Sequence, residues 1–291
     1  MDNIDYNKAS TWEKLKYSLR SWRYIGVGKS LLIWFLTISI VPLVTISFIN
    51  FLNAYHGLTI VAEKSLQTTS QLREEYINTF FKEIIDFLDF NTEQKSDQRF
   101  IYKLDSMLVA NQGEFGKFYQ TAAYKKSTAE HRDEFKNLAG RNGYYDIYYI
   151  NAKGNILFSL REESDLGMNL FTGSLRLTRF ATLVRNVIET GKTGFSDLEF
   201  YEPSYNKLSG FFASAVRNEN NQIIGVIALQ VTMDRINQII SQEAGYGETG
   251  QAYLVGEDQL LRSSLRFKGS SQILSTRSEE RRVGKECRSR W

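Results

Sequence analysis

The sequence predicts an α+β protein carried on one transmembrane helix. Three observations predict it. Ser30 to Leu52 (SLLIWFLTISIVPLVTISFINFL) is twenty-three residues without a charge. Apolar residues then fall at 77, 80, 81, 84, 85 and 88, the spacing of an amphipathic helix. After Gly143, short aromatic and β-branched runs alternate with turn sequences, five strands in all.

The uncharged stretch is long enough to span a bilayer, whose core of about 30 Å takes ~20 helical residues. Lys8, Lys14, Lys16, Arg20, Arg23 and Lys29 precede it, and no Lys or Arg follows until Lys64. Basic residues beside a span stay in the cytoplasm. Residues 1–29 are therefore expected to be a cytoplasmic stub, 30–52 the span, and everything from about Asn53 extracytoplasmic, which in a bacterium is the periplasmic side of the inner membrane. Trp22, Tyr24, Trp34 and Tyr55 suit the two interfaces. The apolar run is longer than the 7–15 residues of a cleaved signal, and no A-x-A site follows, so an uncleaved anchor is expected. Pro42 sits mid-span, where it is tolerated.

Beyond the span the spacing predicts one long helix over 55–92 and a second helical region over about 97–139, closed by Gly140 and Gly143. Tyr144–Ile150 and Asn155–Leu160 read as a hairpin about the turn Asn151-Ala-Lys-Gly. Leu177–Glu189 reads as a helix closed by Gly191. Gly194–Phe200, Gly210–Arg217 and Ile223–Val231 read as a three-stranded meander, and Met233–Ala244 as a short amphipathic helix. That order makes a five-stranded antiparallel sheet with helices on its faces, an α+β module of PAS-like type. The pattern then restarts. Tyr149–Ser159 (YINAKGNILFS) aligns without gaps on Tyr253–Ser263 (YLVGEDQLLRS), 104 residues later. The expected organisation is a long helix plus first module over 53–244 and the start of a truncated second module over 245–276. Lacking a sheet of its own, that second hairpin is expected to be poorly supported, and the chain after about 268 disordered.

Arg277 to Trp291 (RSEERRVGKECRSRW) has no periodicity and breaks in composition from what precedes it. All fifteen residues match the translation of a common short-read sequencing adapter, so a non-native tail is expected there. The tail holds six of the 36 basic and three of the 33 acidic residues, leaving thirty of each and moving the formal charge from +3 to zero. The only cysteine, Cys287, lies in it. The basic balance therefore gives no reason to expect nucleic acid as a partner, and no thiol chemistry is expected.

Five segments in order resemble the double Cache domain of bacterial transmembrane receptors: Tyr145-Asp-Ile-Tyr-Tyr-Ile-Asn-Ala-Lys-Gly-Asn, Glu163-Ser-Asp-Leu-Gly-Met-Asn-Leu, Gly225-Val-Ile-Ala-Leu-Gln-Val, Asp234-Arg-Ile-Asn and Gly247-Glu-Thr-Gly-Gln-Ala-Tyr-Leu-Val-Gly. The resemblance covers roughly 55–267. It implies a long helix carrying two PAS-like modules, the distal one holding a small-molecule ligand, and then a second span, a HAMP linker and an output domain. It implies a methyl-accepting chemotaxis receptor, with a histidine kinase or a nucleotide or diguanylate cyclase as the alternative output. A membrane-anchored structural protein is the reading from a different class. Homodimerisation, and downstream cytoplasmic signalling proteins reached through the output domain, follow from the resemblance as well.

In a PAS-like sheet the pocket lies between the sheet and its covering loops and helix. The expected lining is Tyr145, Tyr148, Phe158, Arg161, Asp197, Tyr201, Phe211 and Ser214. Arg161 can fork a carboxylate and Asp197 can take an ammonium; a salt bridge from Arg161 to Glu162 or Glu199 is the plainer alternative. The tyrosines offer apolar walls with polar tips, or simply core packing. The Arg-x-Trp-Tyr signature of amino-acid-sensing relatives is absent, since no tryptophan lies between Trp34 and Trp291. Gly26-Val-Gly-Lys-Ser30 lacks the first glycine of a P-loop, Arg23 standing there. With two histidines, His56 and His131, no metal site, catalytic dyad or cofactor is expected, and the chain itself is not expected to be an enzyme.

Overall fold

The computed structural model describes residues 26–111, 118–240, 251–266 and 273–275. The chain divides into two compact units, Met1–Ser65 and Leu66–Trp291. The first unit holds the beginning of helix α1, which runs from Val27 to Thr92, so that the expected span and the 55–92 helix expected to rise from it are one continuous helix. This helix is long and apolar enough to cross a membrane, and its apolar window is wholly exposed within the protein. Pro42 lies inside it. The hydroxyls of Thr37 and Thr45 bond back to the carbonyls of Ile33 and Val41 at 2.8 and 2.7 Å, leaving no polar tip to face an apolar medium.

In the second unit, Ile77, Phe80, Ile84 and Leu88 form the buried stripe of α1. The helical region expected over 97–139 is two helices, α2 (Lys95–Ala110) and α3 (Ala122–Asn142). Asn111 closes α2, its amide donating to the Met107 carbonyl at 2.8 Å. Thr121 opens α3 by accepting from the Tyr124 N–H at 3.2 Å. Gly143, at φ 75°, ends α3 in the left-handed conformation that glycine adopts without strain.

The five expected strands follow: β1 (Asp146–Asn151), β2 (Ile156–Ser159), β3 (Gly194–Tyr201), β4 (Lys207–Arg217) and β5 (Ile223–Thr232). They form one antiparallel sheet in the order β2-β1-β5-β4-β3, so the hairpin and the meander meet along β1 and β5. Helix α4 (Arg179–Thr190) lies between β2 and β3. The 3₁₀ turn Ser174–Leu177 precedes it, and Thr178 caps it by accepting from the Ala181 N–H. The chain past β5 enters α5 (Met233–Ile240). Residues 241–244, expected to continue it, lie outside the described residues.

The sheet is covered on both faces. Ile147, Tyr149, Leu157, Phe212, Ile227 and Leu229 pack on α1, α2, α3 and α5. Tyr148, Ile150, Phe211, Ala213, Val226 and Ala228 face α4 and the loop before it. This alternation is why β1 and β2 are buried at every position instead of every second one.

The second hairpin has more support than expected. The Gly256 and Arg262 N–H groups bond to the Leu260 and Leu254 carbonyls. Leu261 and Ile273 are buried, Asn237 of α5 exchanges two hydrogen bonds with Ser264, and Arg262 forks onto Asp197 of β3. Side chains of α5 and β3 supply that support. Residues 267–272 and the tail over 277–291 lie outside the described residues, and with them the disorder expected there.

Two glycines give opposite expectations. A Cβ at Gly225 would run into the Ile150 carbonyl oxygen and the Ile101 side chain, whereas one at Gly140 would meet nothing within 4 Å. Gly225→Ala is expected to destabilise the protein by about 1–3 kcal/mol and Gly140→Ala, inside α3, to stabilise it by roughly 0.5–1 kcal/mol. Urea unfolding midpoints of the two variants check this.

Candidate functional site

On the α4 face the sheet carries a knot of aromatic rings. Phe180 of α4 stacks on Phe211 of β4, with centroids 4.0 Å apart and planes 13° apart. Tyr148 of β1 and Tyr201 of β3 close on the same pair, at 5.3 Å from Phe180 and 4.9 Å from Phe211 respectively. All four side chains are fully buried. Their apolar bodies fill the face, so the hydroxyls of the two tyrosines must find partners inside the protein.

A buried polar network supplies them. The Tyr148 hydroxyl donates to Gln230 of β5 at 2.8 Å, and the Gln230 amide donates to Ser209 and Ser204 at 2.8 and 3.0 Å. Ser204 donates to Glu163 at 2.6 Å, and so does the Tyr145 hydroxyl, also at 2.6 Å. The Tyr201 hydroxyl donates to Asp165 Oδ2 at 2.9 Å. Asp165 is fully buried, and its second oxygen, Oδ1, has no hydrogen-bond partner among the described residues. An orphaned carboxylate oxygen in such a place costs free energy, roughly 1–3 kcal/mol or more.

Asp146, at the start of β1, is a second fully buried carboxyl and is fully satisfied. Its Oδ1 accepts from the N–H groups of Ile147, Leu160 and Arg161 at 2.6, 2.8 and 3.2 Å, and its Oδ2 from the Ser159 hydroxyl at 2.7 Å. These bonds tie the end of β2 to the start of β1. Burial is the largest influence on both carboxyls. It pushes Asp146 up to about 7 against the pull of Ser159, and Asp165 up to about 6 against the pull of the Tyr201 and Tyr148 hydroxyls.

The eight residues expected at the site separate into four places. Tyr148, Tyr201 and Phe211 sit together in the aromatic knot. Tyr145 and Arg161 lie at the outer end of the polar network. The Arg161 guanidinium lies 3.9 Å from the Tyr145 ring centre, and its Nε donates to the Tyr145 carbonyl at 2.7 Å. The alternative salt bridges of Arg161 do not form: Glu162 pairs with Arg132 at 2.7 Å, and Glu199 accepts from the first two N–H groups of α4.

Three residues do not join that set. Phe158 points to the opposite face, packing on Phe100 and Phe135 under the Arg132 guanidinium. Ser214 also lies on the helix-bundle side, between Thr193 and Asp89 of α1. Period-two alternation separates them: Phe158 follows Leu157 across the β2 register shift, and Ser214 lies three residues from Phe211, an odd number along one strand. Asp197, on edge strand β3, is bound by Arg179 and Arg262. The reading of residues left out Ser204 and Gln230 and took Glu162, Glu163 and Asp165 for solvated charge or a weak cation chelate, whereas Asp165 is fully buried. The available signals were a glutamine inside the otherwise apolar run Ile223–Val231 and two acids in the loop after β2.

Among the described residues no cluster of three or more His, Cys, Asp or Glu could hold a metal. No protein-family model matches the chain, and no curated protein matches it. Solved structures with a similar arrangement of helices and strands do exist. The extracellular domain assigned to a histidine kinase, vpHK1S-Z8, is 12% identical over 70% of this chain and 67% of that one, with a TM-score of 0.48. The ligand-binding domain of the Pseudomonas aeruginosa amino-acid chemoreceptor PctC, in complex with GABA, is 13% identical over 66% and 80%, with a TM-score of 0.38. The sensor domain of the V. cholerae histidine kinase DctB is 15% identical over 56% of this chain, at a TM-score of 0.32. The matched region spans 62% of the DctB domain's length. What each of those domains binds is a property of that domain.

The raised Asp165 carboxyl makes a signed prediction. Its folded value, about 6, exceeds its ordinary value of 3.8, so between those two pH values the folded state holds a proton that the unfolded state has lost. Stability therefore falls as pH rises from 3.8 to 6 and is level, for this group, above that. Asp165→Asn is expected to remove that part of the pH dependence, on the order of 3 kcal/mol between pH 4 and 7. Unfolding midpoints of the parent and Asp165→Asn across that range measure it.

Proposed function

We propose that this chain is the extracytoplasmic sensing part of a transmembrane receptor of the double Cache type, serving signal transduction in chemotaxis. One observation carries this reading. A buried polar network, with an unsatisfied carboxylate oxygen at Asp165, is built into the α4 face of a PAS-like sheet. Polar groups buried at a cost to stability are poor value for folding alone and suit recognition of a ligand. The chain also carries a helix of membrane-spanning length and composition. The ligand is a small molecule, and the side chains that face it are Tyr145, Tyr148, Arg161, Tyr201 and Phe211, with Glu163 and Asp165. Among the described residues the Arg161 side chain makes one hydrogen bond, through Nε, which leaves both terminal nitrogens for an incoming anion.

The charge bias around the span supports a cytoplasmic side for residues 1–29 and an outer side for the sheet. Exposed apolar residues of α1 within the second unit, Leu72, Tyr76 and Phe90, support a homodimer through that helix. Ligand binding acts on the receptor only through different affinity for two conformations. The signalling partners in the cytoplasm are reached through an output domain.

Two measurements test this. With Cys287 replaced by serine and Glu162→Cys introduced, a membrane-impermeant maleimide is expected to label intact cells; labelling only after lysis contradicts the orientation. For any compound that raises the melting temperature of the full chain in nanodiscs, Arg161→Ala is expected to weaken binding about tenfold or more. Ser214→Ala, on the opposite face, is expected to leave affinity within about twofold; equal effects of the two variants count against the assigned face.

A further inference from the structure

A second cavity shares no lining residue with that network. It is a cleft of about 600 Å³ between α1, edge strand β3, α5 and the hairpin over 254–262. Ile77, Phe81, Phe195, Leu198, Ile236 and Leu254 form its apolar wall, and Phe81 and Phe195 lie 5.2 Å apart across it. Its volume suits one small organic ligand.

The charges on its rim decide which kind. Arg262, 8% exposed, uses all three guanidinium nitrogens within the protein. Nε and Nη2 reach the two Asp197 oxygens at 2.8 and 2.6 Å, Nη2 also reaches Asp258 at 2.8 Å, and Nη1 donates to the Leu260 carbonyl at 3.1 Å. Arg179 donates Nη1 to Asp197 at 2.6 Å. Burial works against the charge on Asp197, but its arginine and backbone bonds outweigh it, and its carboxyl stays below the ordinary range. Arg262 is therefore committed to the cleft's own acids, and Arg179 gives one nitrogen to Asp197. The remaining acid, Glu257, lines the cleft, is exposed, and has no hydrogen bond or ion pair among the described residues. Three carboxylates face two guanidiniums, and the surplus negative charge rests on Glu257.

We propose that this cleft is a binding site for a small amphipathic amine, its ammonium at Glu257 and its apolar body against Phe81 and Phe195. An anionic ligand would meet surplus negative charge, and Arg262, the buried cation, is already bound to Asp197 and Asp258. An ammonium meets Glu257 without displacing anything, and the aromatic walls favour a cation further. The site assigns Asp197 a structural part: it holds the hairpin in place so that Glu257 is presented.

Isothermal titration of the full chain in nanodiscs with phenethylamine, phenethyl alcohol and 3-phenylpropionate tests this, the three probes sharing one apolar body. Phenethylamine is expected to bind at least about threefold tighter than either of the others, the range of a partly exposed ion pair, and the preference is expected to shrink with added salt. Glu257→Gln, which disturbs no contact, is expected to abolish the preference while leaving the residual apolar affinity. Leu254→Trp is expected to block all three probes, with its circular dichroism confirming the fold. Tyr145→Phe, in the separate network, is expected to change nothing here, so a failure of this site and a failure of the proposed sensing face give different results. Equal affinity for the three probes, no saturable binding, or an amine preference that survives Glu257→Gln overturns the proposal.

Discussion

Burial of one sheet on both faces is the constraint on which the rest of the protein depends. Val226 to Val231, in the central strand β5, are all buried, between β1 on one side and β4 on the other. A strand in that position needs a cover above and below, so the chain must supply two. The helices α1, α2, α3 and α5 form one cover; α4 with the loop before it forms the other. Every polar atom on a strand then lies in the interior and must be paired there. Tyr149 donates its hydroxyl to the buried Asp97 of α2, and Asn151 its amide to Asp105. Tyr148 and Tyr201 turn the other way and form the network under α4.

The two covers differ in kind. On the helix-bundle face the polar contacts are separate: Tyr149 and Asn151 each meet one acid on α2, Ser214 meets Thr193 and Asp89, and the Tyr124 hydroxyl donates to the Leu157 carbonyl. On the α4 face, Gln230, Ser204, Ser209 and Glu163 connect into one system, and beside it Asp165 takes the Tyr201 hydroxyl on one oxygen and has no donor for the other among the described residues. The free energy of such a system is small when complete and unfavourable when one member lacks its partner. That asymmetry separates a face assembled to hold the fold from a face assembled to recognise something. The cleft beside β3 follows a third logic, with its arginines and acids paired to each other and a single carboxylate left over.

The elements were largely legible in the sequence because each obeys its own period. The α1 stripe at Ile77, Ile84 and Leu88 has helical spacing, and the strands begin and end close to where Gly, Asn and Asp punctuate the chain. The break between α2 and α3 was not legible, since 97–139 reads as one polar helical region with no proline. The site was legible in part. Tyr148, Tyr201 and Phe211 announce themselves as large residues on strands, but which face each takes depends on register. Phe158 and Ser214 were drawn into the wrong group for that reason: a bulge in the β1–β2 pairing and one position along β4 move a side chain through the sheet. Glu163, Asp165 and Ser204 lie in loops, where no periodicity marks a residue as buried. The support of the second hairpin depends on the long-range Arg262–Asp197 pair, sixty-five residues apart, which no local pattern encodes.

The central claim is that the α4-face network is kept for recognition and not for stability. The most direct measurement is the urea unfolding midpoint, without ligand at pH 7.5, of the double variant Asp165→Leu with Tyr201→Phe. Removing a buried acid and its hydroxyl donor together leaves no unpaired partner, so a network that is not required for folding predicts a variant at least as stable as the parent. A loss of more than about 2 kcal/mol, the range of a broken structural hydrogen-bond network, would contradict the claim and make these residues part of the core.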